Sequence, residues 1–102
     1  NTDDHLRNHG FILSKEGWRL SPAFDINPSI DKQGLALNID TDSNALDFDL
    51  ARSVGGFFML DMPLMNKIIM DVKTVVSDWK EYAHSIGIPK TEQDRMSPAF
   101  RF

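Results

Sequence analysis

The chain has 102 residues, a formal net charge of −4 and no cysteine. A chain of this length forms at most one domain, and the absence of cysteine excludes disulfide bonds and thiolate metal sites. The acidic balance, without a run of Lys or Arg, argues against direct binding of nucleic acid. No apolar run approaches the roughly 20 residues of a membrane span, and the polar N-terminus is unlike a signal peptide, so we expect no membrane association and a cytoplasmic location.

Two short apolar runs near the N-terminus predict a β-hairpin. The runs cover residues 11–13 and 18–20, and Gly17 between them can take the positive φ of a tight turn. Further along, apolar residues alternate with small or polar ones over residues 35–39, which predicts one more short strand. The first part of the chain therefore has the spacing of strands and loops.

The apolar spacing changes to three or four residues from Leu46 onward, which predicts helices. The first helix begins near Asp47, whose carboxylate suits the positive end of a helix dipole. Gly55 and Gly56 either end this helix or weaken it.

A longer helix is expected next. Asp61 is a suitable N-cap, Pro63 falls in the first turn, and the helix ends near Gly87. One face carries an apolar stripe of the kind that usually faces a core. The stripe consists of Leu64, Ile68, Val72, Val75, Val76, Trp79, Ala83 and Ile86. Thr91 with Asp94 resembles a capping box that starts a last short helix.

Together these elements predict a mainly α domain with a small β-hairpin, which is an α+β fold in a single unit over residues 1–102. Residues 1–45 hold the hairpin and polar loops, and residues 46–102 hold the helices. Aromatic residues are expected to anchor the core. The candidates are Phe57, Phe58, Trp79 and Phe100.

Three polar residues are expected to meet at the base of the hairpin. Asn8 precedes the first strand and Asp25 follows the second, and a hairpin brings its two ends together. Asp3 lies five residues before Asn8, in the same loop. Carboxylate and amide oxygens are hard ligands that suit Mg²⁺, which shares its coordination shell with water and substrate phosphates.

The order Asp3, Asn8, Asp25 is also an order in which phosphoryl-transfer sites use these residue types. One Asp receives or orients the proton of the attacking hydroxyl, while an Asn and a second Asp hold metal ions on the phosphates. The spacing D-x-x-x-x-N is by itself a common loop pattern, and Asp-rich turns commonly form local hydrogen bonds in solvent. Spacing and hairpin alone leave two interpretations open, a phosphotransfer site and an inert acidic loop.

The stretches around these residues resemble the C-terminal domain of the HipA family, bacterial serine/threonine kinases that act as toxins of toxin–antitoxin pairs. The specific stretches are NTDDHLRNHGF and GWRLSPAFDINPS, and the resemblance continues through LDFDLARSVGGFFML, VVSDWKEYAHSIGIP and MSPAF. It implies the C-terminal lobe of a protein-kinase-like fold. Residues 1–45 would then contain a catalytic loop, the hairpin and a metal loop.

The resemblance also implies roles for individual residues. Asp3 is the catalytic aspartate, and Asn8 and Asp25 are ligands of the Mg²⁺ that accompanies ATP. His5 either faces the transferred phosphate or is a structural residue that ties the loop to the backbone. Arg7 either contacts phosphate of the nucleotide or pairs with the neighbouring Asp4.

The family implies an enzyme larger than this chain. Nucleotide binding in kinases needs an upper lobe with a phosphate-covering loop and a lysine on a strand, and neither is found here, so we expect a fragment that is inactive alone. The substrate would be a protein hydroxyl, with aminoacyl-tRNA synthetases as targets known in the family, and a small helix-turn-helix antitoxin would be the partner. The alternatives are a non-catalytic helical interaction domain that docks an antitoxin, and a lobe of a small-molecule kinase.

Overall fold

A computed structural model describes residues 1–31 and 33–100 of the chain. In this part of the chain, a β-hairpin precedes a long irregular loop and a series of helices. The strands are β1 (Phe11–Ser14) and β2 (Gly17–Leu20). The α-helices are α1 (Phe48–Val54), α2 (Met62–Ser77), α3 (Trp79–Ser85) and α4 (Lys90–Met96). This arrangement confirms the predicted α+β class, mainly helical with a small hairpin.

The hairpin forms where the apolar runs predicted it. β1 and β2 pair in antiparallel register from Phe11 opposite Leu20 to Ser14 opposite Gly17. Gly17 has φ of +108°, a value that few residues other than glycine adopt, so its position explains the tight turn. At the other end, Ser21 N–H donates to the Gly10 carbonyl at 2.8 Å, which carries the pairing one step beyond the strands.

The predicted strand over residues 35–39 is wrong, because this stretch is an irregular loop. One isolated bridge pairs Gly34 with Ala45. The Asp40 carboxylate accepts hydrogen bonds from the backbone N–H groups of Asp42 and Ser43 at 2.8 and 2.7 Å, and this turn folds the chain back on itself. Leu35 N–H donates to the Asn44 carbonyl and Ile39 N–H to the Ser43 carbonyl, so both bonds lie within this loop rather than in a sheet.

The start of α1 follows from its cap. Asp47 is the N-cap, and its carboxylate accepts from the N–H groups of Asp49 and Leu50. At the other end, the chain tightens into the 3-10 turn Gly55–Phe58 and stops at Met59, which has φ of +58°. The predicted helix beginning near Asp47 is confirmed, and of the two roles left open for the glycines, the structure shows that they end the helix.

The long predicted helix is correct at its start and wrong in its continuity. The Asp61 carboxylate accepts from Leu64 N–H at 2.9 Å and caps α2 as expected. The helix then ends at Ser77, whose hydroxyl donates to the Thr74 carbonyl at 2.7 Å. Asp78 leaves the regular helical conformation and starts α3 with its own carbonyl, which receives the N–H of Glu81. Ser and Asp bond to nearby backbone in this way and so interrupt helices.

The capping box predicted at Thr91 is also wrong. The predicted last short helix is present, but α4 begins at Lys90, two residues before the first helical position that a cap at Thr91 implies, and its N-cap is Pro89. The Pro89 carbonyl accepts the N–H groups of both Glu92 and Gln93, at 3.0 and 3.1 Å. Proline suits the entrance to a helix because its fixed φ is compatible with that position. Backbone geometry therefore starts this helix without a side-chain cap.

The predicted aromatic core is half correct. Trp79 and Phe100 stack, with ring centroids 4.1 Å apart and planes inclined by 10°. Phe57 and Phe58, by contrast, are 87% and 67% exposed. The predicted stripe of α2 and α3 is also largely exposed, and the buried apolar residues in the described part of the chain are Met65 and Ala83. Periodicity showed that these helices are amphipathic but did not show what covers them.

The exposed surface of the chain is large for its mass. It amounts to 8207 Å², whereas a compact 11.6 kDa protein exposes about 5,800 Å² by the usual scaling. The radius of gyration, 15.8 Å, likewise exceeds the roughly 13 Å of a compact domain of this length. Within the described residues, no helix combines the length and apolarity needed to cross a membrane.

Candidate functional site

The candidate site lies at the base of the hairpin, where Asn8 meets Asp25. Asn8 is 8% exposed and ends the 3-10 turn Leu6–Asn8. Its Nδ2 donates to Asp25 Oδ2 at 2.8 Å, and its Oδ1 accepts from the backbone N–H of His5 at 3.1 Å. A carboxylate accepts and a backbone N–H donates, so these two partners fix the orientation of the Asn8 amide. The expected meeting of Asn8 and Asp25 is observed.

Asp25 is held by three asparagine side chains. Besides the Asn8 contact, Asn27 Nδ2 donates to Asp25 Oδ1 at 2.7 Å, and Asn1 Nδ2 donates to the Asp25 backbone carbonyl at 3.2 Å. The Asp25 backbone has φ of +57°, the left-handed region that Asp and Asn enter more readily than other non-glycine residues. Both the backbone and the carboxylate of Asp25 are therefore oriented by neighbouring amides.

Asp3 is linked to this arrangement through Asn1. The Asp3 backbone N–H donates to Asn1 Oδ1 at 3.2 Å, while the other side of the same amide reaches Asp25. Next to it, Thr2 is 3% exposed and its hydroxyl lies 2.9 Å from the hydroxyl of Ser29. The opening segment is therefore fastened to the loop after β2 at several points, and Asp3 lies at the edge of the same cluster.

The remaining predicted residues are His5 and Arg7. His5 is the N-cap of the 3-10 turn Leu6–Asn8, and Arg7 lies within it. His5 gives its backbone N–H to Asn8, and its ring Nδ1 is shielded from solvent without a hydrogen-bond partner among the described residues. Arg7 is exposed. The Asp4 carboxylate pairs with His9 Nε2 at 2.9 Å, so the structure gives Asp4 a different partner from the Arg7 that the sequence offered.

The donor chemistry of the cluster fits Mg²⁺. A carboxylate has about four lone-pair positions, and two of those on Asp25 receive the amides of Asn8 and Asn27, so two remain for a cation or water. The Asn8 Oδ1 retains one position beside the His5 contact. Mg²⁺ commonly takes one or two protein carboxylates and fills its shell with water and phosphate. No group of three or more His, Cys, Asp or Glu side chains is arranged for a metal within residues 1–31 and 33–100.

A hollow of about 370 Å³ adjoins the cluster. Asn1, Asp4, Asn8 and His9 form its polar side. The rest of the lining comes from the end of β2 and the following loops, is mainly apolar, and consists of Leu20, Ser21, Pro22, Ala23, Phe24, Ile26 and Leu35. The site therefore combines a polar edge with an apolar wall, which is the usual composition of a small-ligand cleft.

Sequence reasoning missed the supporting residues of the site. No role in the site was predicted for Asn27 or Ser29, and the roles of Asn1, Thr2 and His9 had no signal in the spacing. One signal was available for Asn27, because an Asx residue two positions after an Asp in a turn is well placed to bond back to it. The contacts of Asn1 and Thr2 depend on how two distant loops meet, which the local pattern does not show.

These features define the chain as a small α+β domain with a hairpin-based Asn–Asp site. A comparison with protein families identifies it more closely, since the model of the HipA-like C-terminal domain matches residues 1–79, more than three-quarters of the chain. The chain belongs to the HipA-like C-terminal domain family. No curated protein and no solved structure shows significant similarity to it. The resemblance predicted from residues beyond position 79 lies outside the matched region.

Proposed function

We propose that this chain is the C-terminal catalytic-lobe portion of a HipA-like serine/threonine protein kinase, the toxin of a toxin–antitoxin pair. The observation that carries the proposal is the contact of Asn8 with Asp25, which lie 17 residues apart and meet at 2.8 Å. The family of the chain, associated with kinases, supports the same proposal, and all the residues concerned lie within the matched region.

In the proposed reaction, Asp3 accepts the proton of a substrate Ser or Thr hydroxyl. The hydroxyl oxygen forms a bond to the terminal phosphorus of ATP, and the bond from that phosphorus to the oxygen of the departing ADP breaks. Asp25 and Asn8 would hold Mg²⁺, which when bound would supply positive charge for the phosphate oxygens. His5 and Arg7, on the turn between Asp3 and Asn8, are proposed to face the transferred phosphate and the nucleotide.

The proposal requires further protein to complete the nucleotide site, because a kinase also uses a phosphate-covering loop and a lysine on a strand, and neither is recognised in this sequence. The large exposed surface supports this requirement, since apolar side chains on the hairpin and helices lie open. We propose that the isolated 102-residue chain is inactive. The intact enzyme would phosphorylate a protein such as an aminoacyl-tRNA synthetase. A helix-turn-helix antitoxin would bind the intact enzyme.

A second candidate function, an interaction domain without catalysis, is favoured by one observation. Phe57, Phe58 and Met59 form a consecutive run of exposed apolar side chains, 67% to 94% accessible, and Met62 follows at 51%. Runs of this kind are common at protein–protein contacts. In this alternative the same surface binds an antitoxin, and the Asn8–Asp25 contact is purely structural.

The two candidate functions predict different effects of substitutions at Asp25 and Asp3. The quantities that distinguish them are Mg·ATP binding and phosphate transfer. In the intact protein, Asp25→Asn is expected to weaken Mg·ATP binding by about 100-fold, the upper end of the cost of losing a metal-site partner. Asp3→Asn is expected to bind Mg·ATP nearly normally but to lower phosphate transfer by about 10²–10⁴-fold, because a general base is lost. Calorimetric titration and a radiolabelled ATP assay measure the two quantities.

Asp31→Asn is the matched control, since Asp31 is an exposed carboxylate in the same loop region. It should leave both binding and transfer unchanged. Wild-type Mg·ATP affinity in Asp25→Asn would remove Asp25 from the metal shell and favour the interaction domain. Transfer to small alcohols, but not to protein, would assign the site to a small-molecule kinase.

A further inference from the structure

We propose that Asn27 is a positioning residue for the metal-binding carboxylate of Asp25. This inference rests on the proposed function, because it concerns the same metal site. Asn27 Nδ2 donates to Asp25 Oδ1 at 2.7 Å, the shortest of the three amide contacts that Asp25 receives. The Asn27 side chain is not itself a proposed ligand.

The geometry of Asp25 explains why such support is needed. Asp25 is exposed, and a solvent-exposed carboxylate can rotate freely about its side-chain bonds. Its backbone is also in the left-handed region, with φ of +57°, which costs an L-residue energy unless neighbours stabilise it. The Asn27 contact on one oxygen and the Asn8 contact on the other together remove the rotation of the carboxylate.

The Asn8 and Asn27 amides bond to different oxygens of the Asp25 carboxylate. Each oxygen receives one N–H from these amides, so each retains one lone-pair position for a further partner. A divalent cation that binds Asp25 therefore meets a carboxylate already turned to receive it. Groups that orient a ligand in this way typically change metal affinity by about 10–100-fold when they are removed.

Asn8 and Asn27 differ in what their removal disturbs. Asn8 is buried and its Oδ1 also accepts the His5 N–H, so its loss disturbs the turn Leu6–Asn8 that follows Asp3. Asn27 is exposed, and its side chain bonds to Asp25. Asn27 therefore allows the orientation of Asp25 to be tested without disturbing the catalytic loop.

The test is a titration of the intact protein with Mn²⁺ alone, a paramagnetic substitute for Mg²⁺ at oxygen sites, with free Mn²⁺ read by electron paramagnetic resonance. Asn27→Ala is expected to weaken Mn²⁺ binding by about 10-fold, with an unchanged thermal midpoint in the absence of metal. Asn27→Ser, which keeps a hydrogen-bond donor, is expected to recover part of the loss. Asn38→Ala, at an exposed asparagine of the loop before α1, is the matched control and should bind as the wild type does.

The outcomes separate this inference from the proposed function. Wild-type Mn²⁺ affinity in Asn27→Ala, together with lost affinity in Asp25→Asn, would overturn the positioning role and leave the metal site standing. Wild-type affinity in Asp25→Asn would remove the metal site and the inference together. If Asn27→Ala lowers the thermal midpoint and Asn27→Ser binds as weakly as Asn27→Ala, the contact serves folding and the inference is overturned.

Discussion

The base of the hairpin and the helical part of the chain are held by different kinds of contact. At the base, hydrogen bonds between side chains of distant loops fix the positions of a few atoms, as with Asn8 and Asp25 or Thr2 and Ser29. The helical part also has side-chain hydrogen bonds, such as Arg52 Nε to Asn66 Oδ1, but it adds close apolar packing. Met65 lies against Gly55, and Trp79 stacks on Phe100. Hydrogen bonds specify direction, whereas apolar contacts supply most of the free energy of folding.

This difference has a consequence for substitutions. A change at the hairpin base should alter local geometry and ligand binding more than the free energy of unfolding. A change at one of the close apolar contacts should do the reverse. Four substitutions in the 102-residue chain compare the hydrogen bonds of the hairpin base with the packing and backbone of the helical part. They follow in order of decreasing expected effect.

Gly55→Ala is expected to destabilise the chain most. A Cβ at Gly55 would overlap Sδ of Met65, and Met65 is buried, so its side chain has little room to move away. Overpacking of this kind costs about 1–3 kcal/mol. Urea unfolding measures the loss, and Gly56→Ala is the control because no atom lies within 4 Å of a Cβ there. Equal unfolding midpoints for the two variants would show that the Gly55–Met65 contact does not matter.

Phe100→Ala is expected to cost about 1.5 kcal/mol, since it removes a stacked partner of Trp79 together with part of its apolar burial. Phe57→Ala makes the same chemical change at a side chain that is 87% exposed. The control should alter the free energy of unfolding by less than about 0.5 kcal/mol. A larger loss in Phe57→Ala than in Phe100→Ala would contradict the assignment of these two side chains.

Thr2→Val is expected to cost about 1 kcal/mol, because it keeps the shape of a nearly buried side chain and removes its hydrogen bond to Ser29. The effect should appear mainly as faster amide exchange in residues 1–9, with little change in α2. A double-mutant cycle with Ser29→Ala isolates the pair. Additive losses in the cycle would mean that the two hydroxyls do not stabilise each other.

Met59→Gly is expected to stabilise the chain slightly, by about 0.5 kcal/mol. Met59 has φ of +58° and is 94% exposed, so glycine relieves backbone strain and loses almost no packing. The gain is reduced by the greater freedom of glycine in the unfolded chain. A rise in the thermal midpoint is the measurement, and a fall would show that the Met59 side chain packs in solution.

The sequence predicted the features that depend on local geometry. The hairpin follows from Gly17 between two apolar runs, the starts of α1 and α2 follow from Asp47 and Asp61, and the meeting of Asn8 with Asp25 follows from the hairpin. Each of these features depends on a turn, a cap or a two-residue repeat. The residues that determine such features are close together in sequence.

Other features depend on what surrounds an element, and the sequence did not show them. The α2 stripe was correct as a periodic pattern but is largely exposed, and Phe57 with Phe58 lies outside the core. The break at Asp78 depends on competing local hydrogen bonds, which periodicity ignores. The roles assigned to the five site residues stay predictions, because the geometry brings their loops together without testing catalysis, metal binding or nucleotide binding. These residues are Asp3, His5, Arg7, Asn8 and Asp25.

The left-handed backbone of Asp25 also limits which alleles can inactivate the proposed site while keeping the fold. Glycine and asparagine enter this conformation readily, whereas other replacements add strain. Both codons for aspartate are one nucleotide away from a codon for asparagine and from one for glycine. A single base change can therefore remove the Asp25 carboxylate without adding backbone strain. Under the proposed function, such a change would give a folded protein without activity.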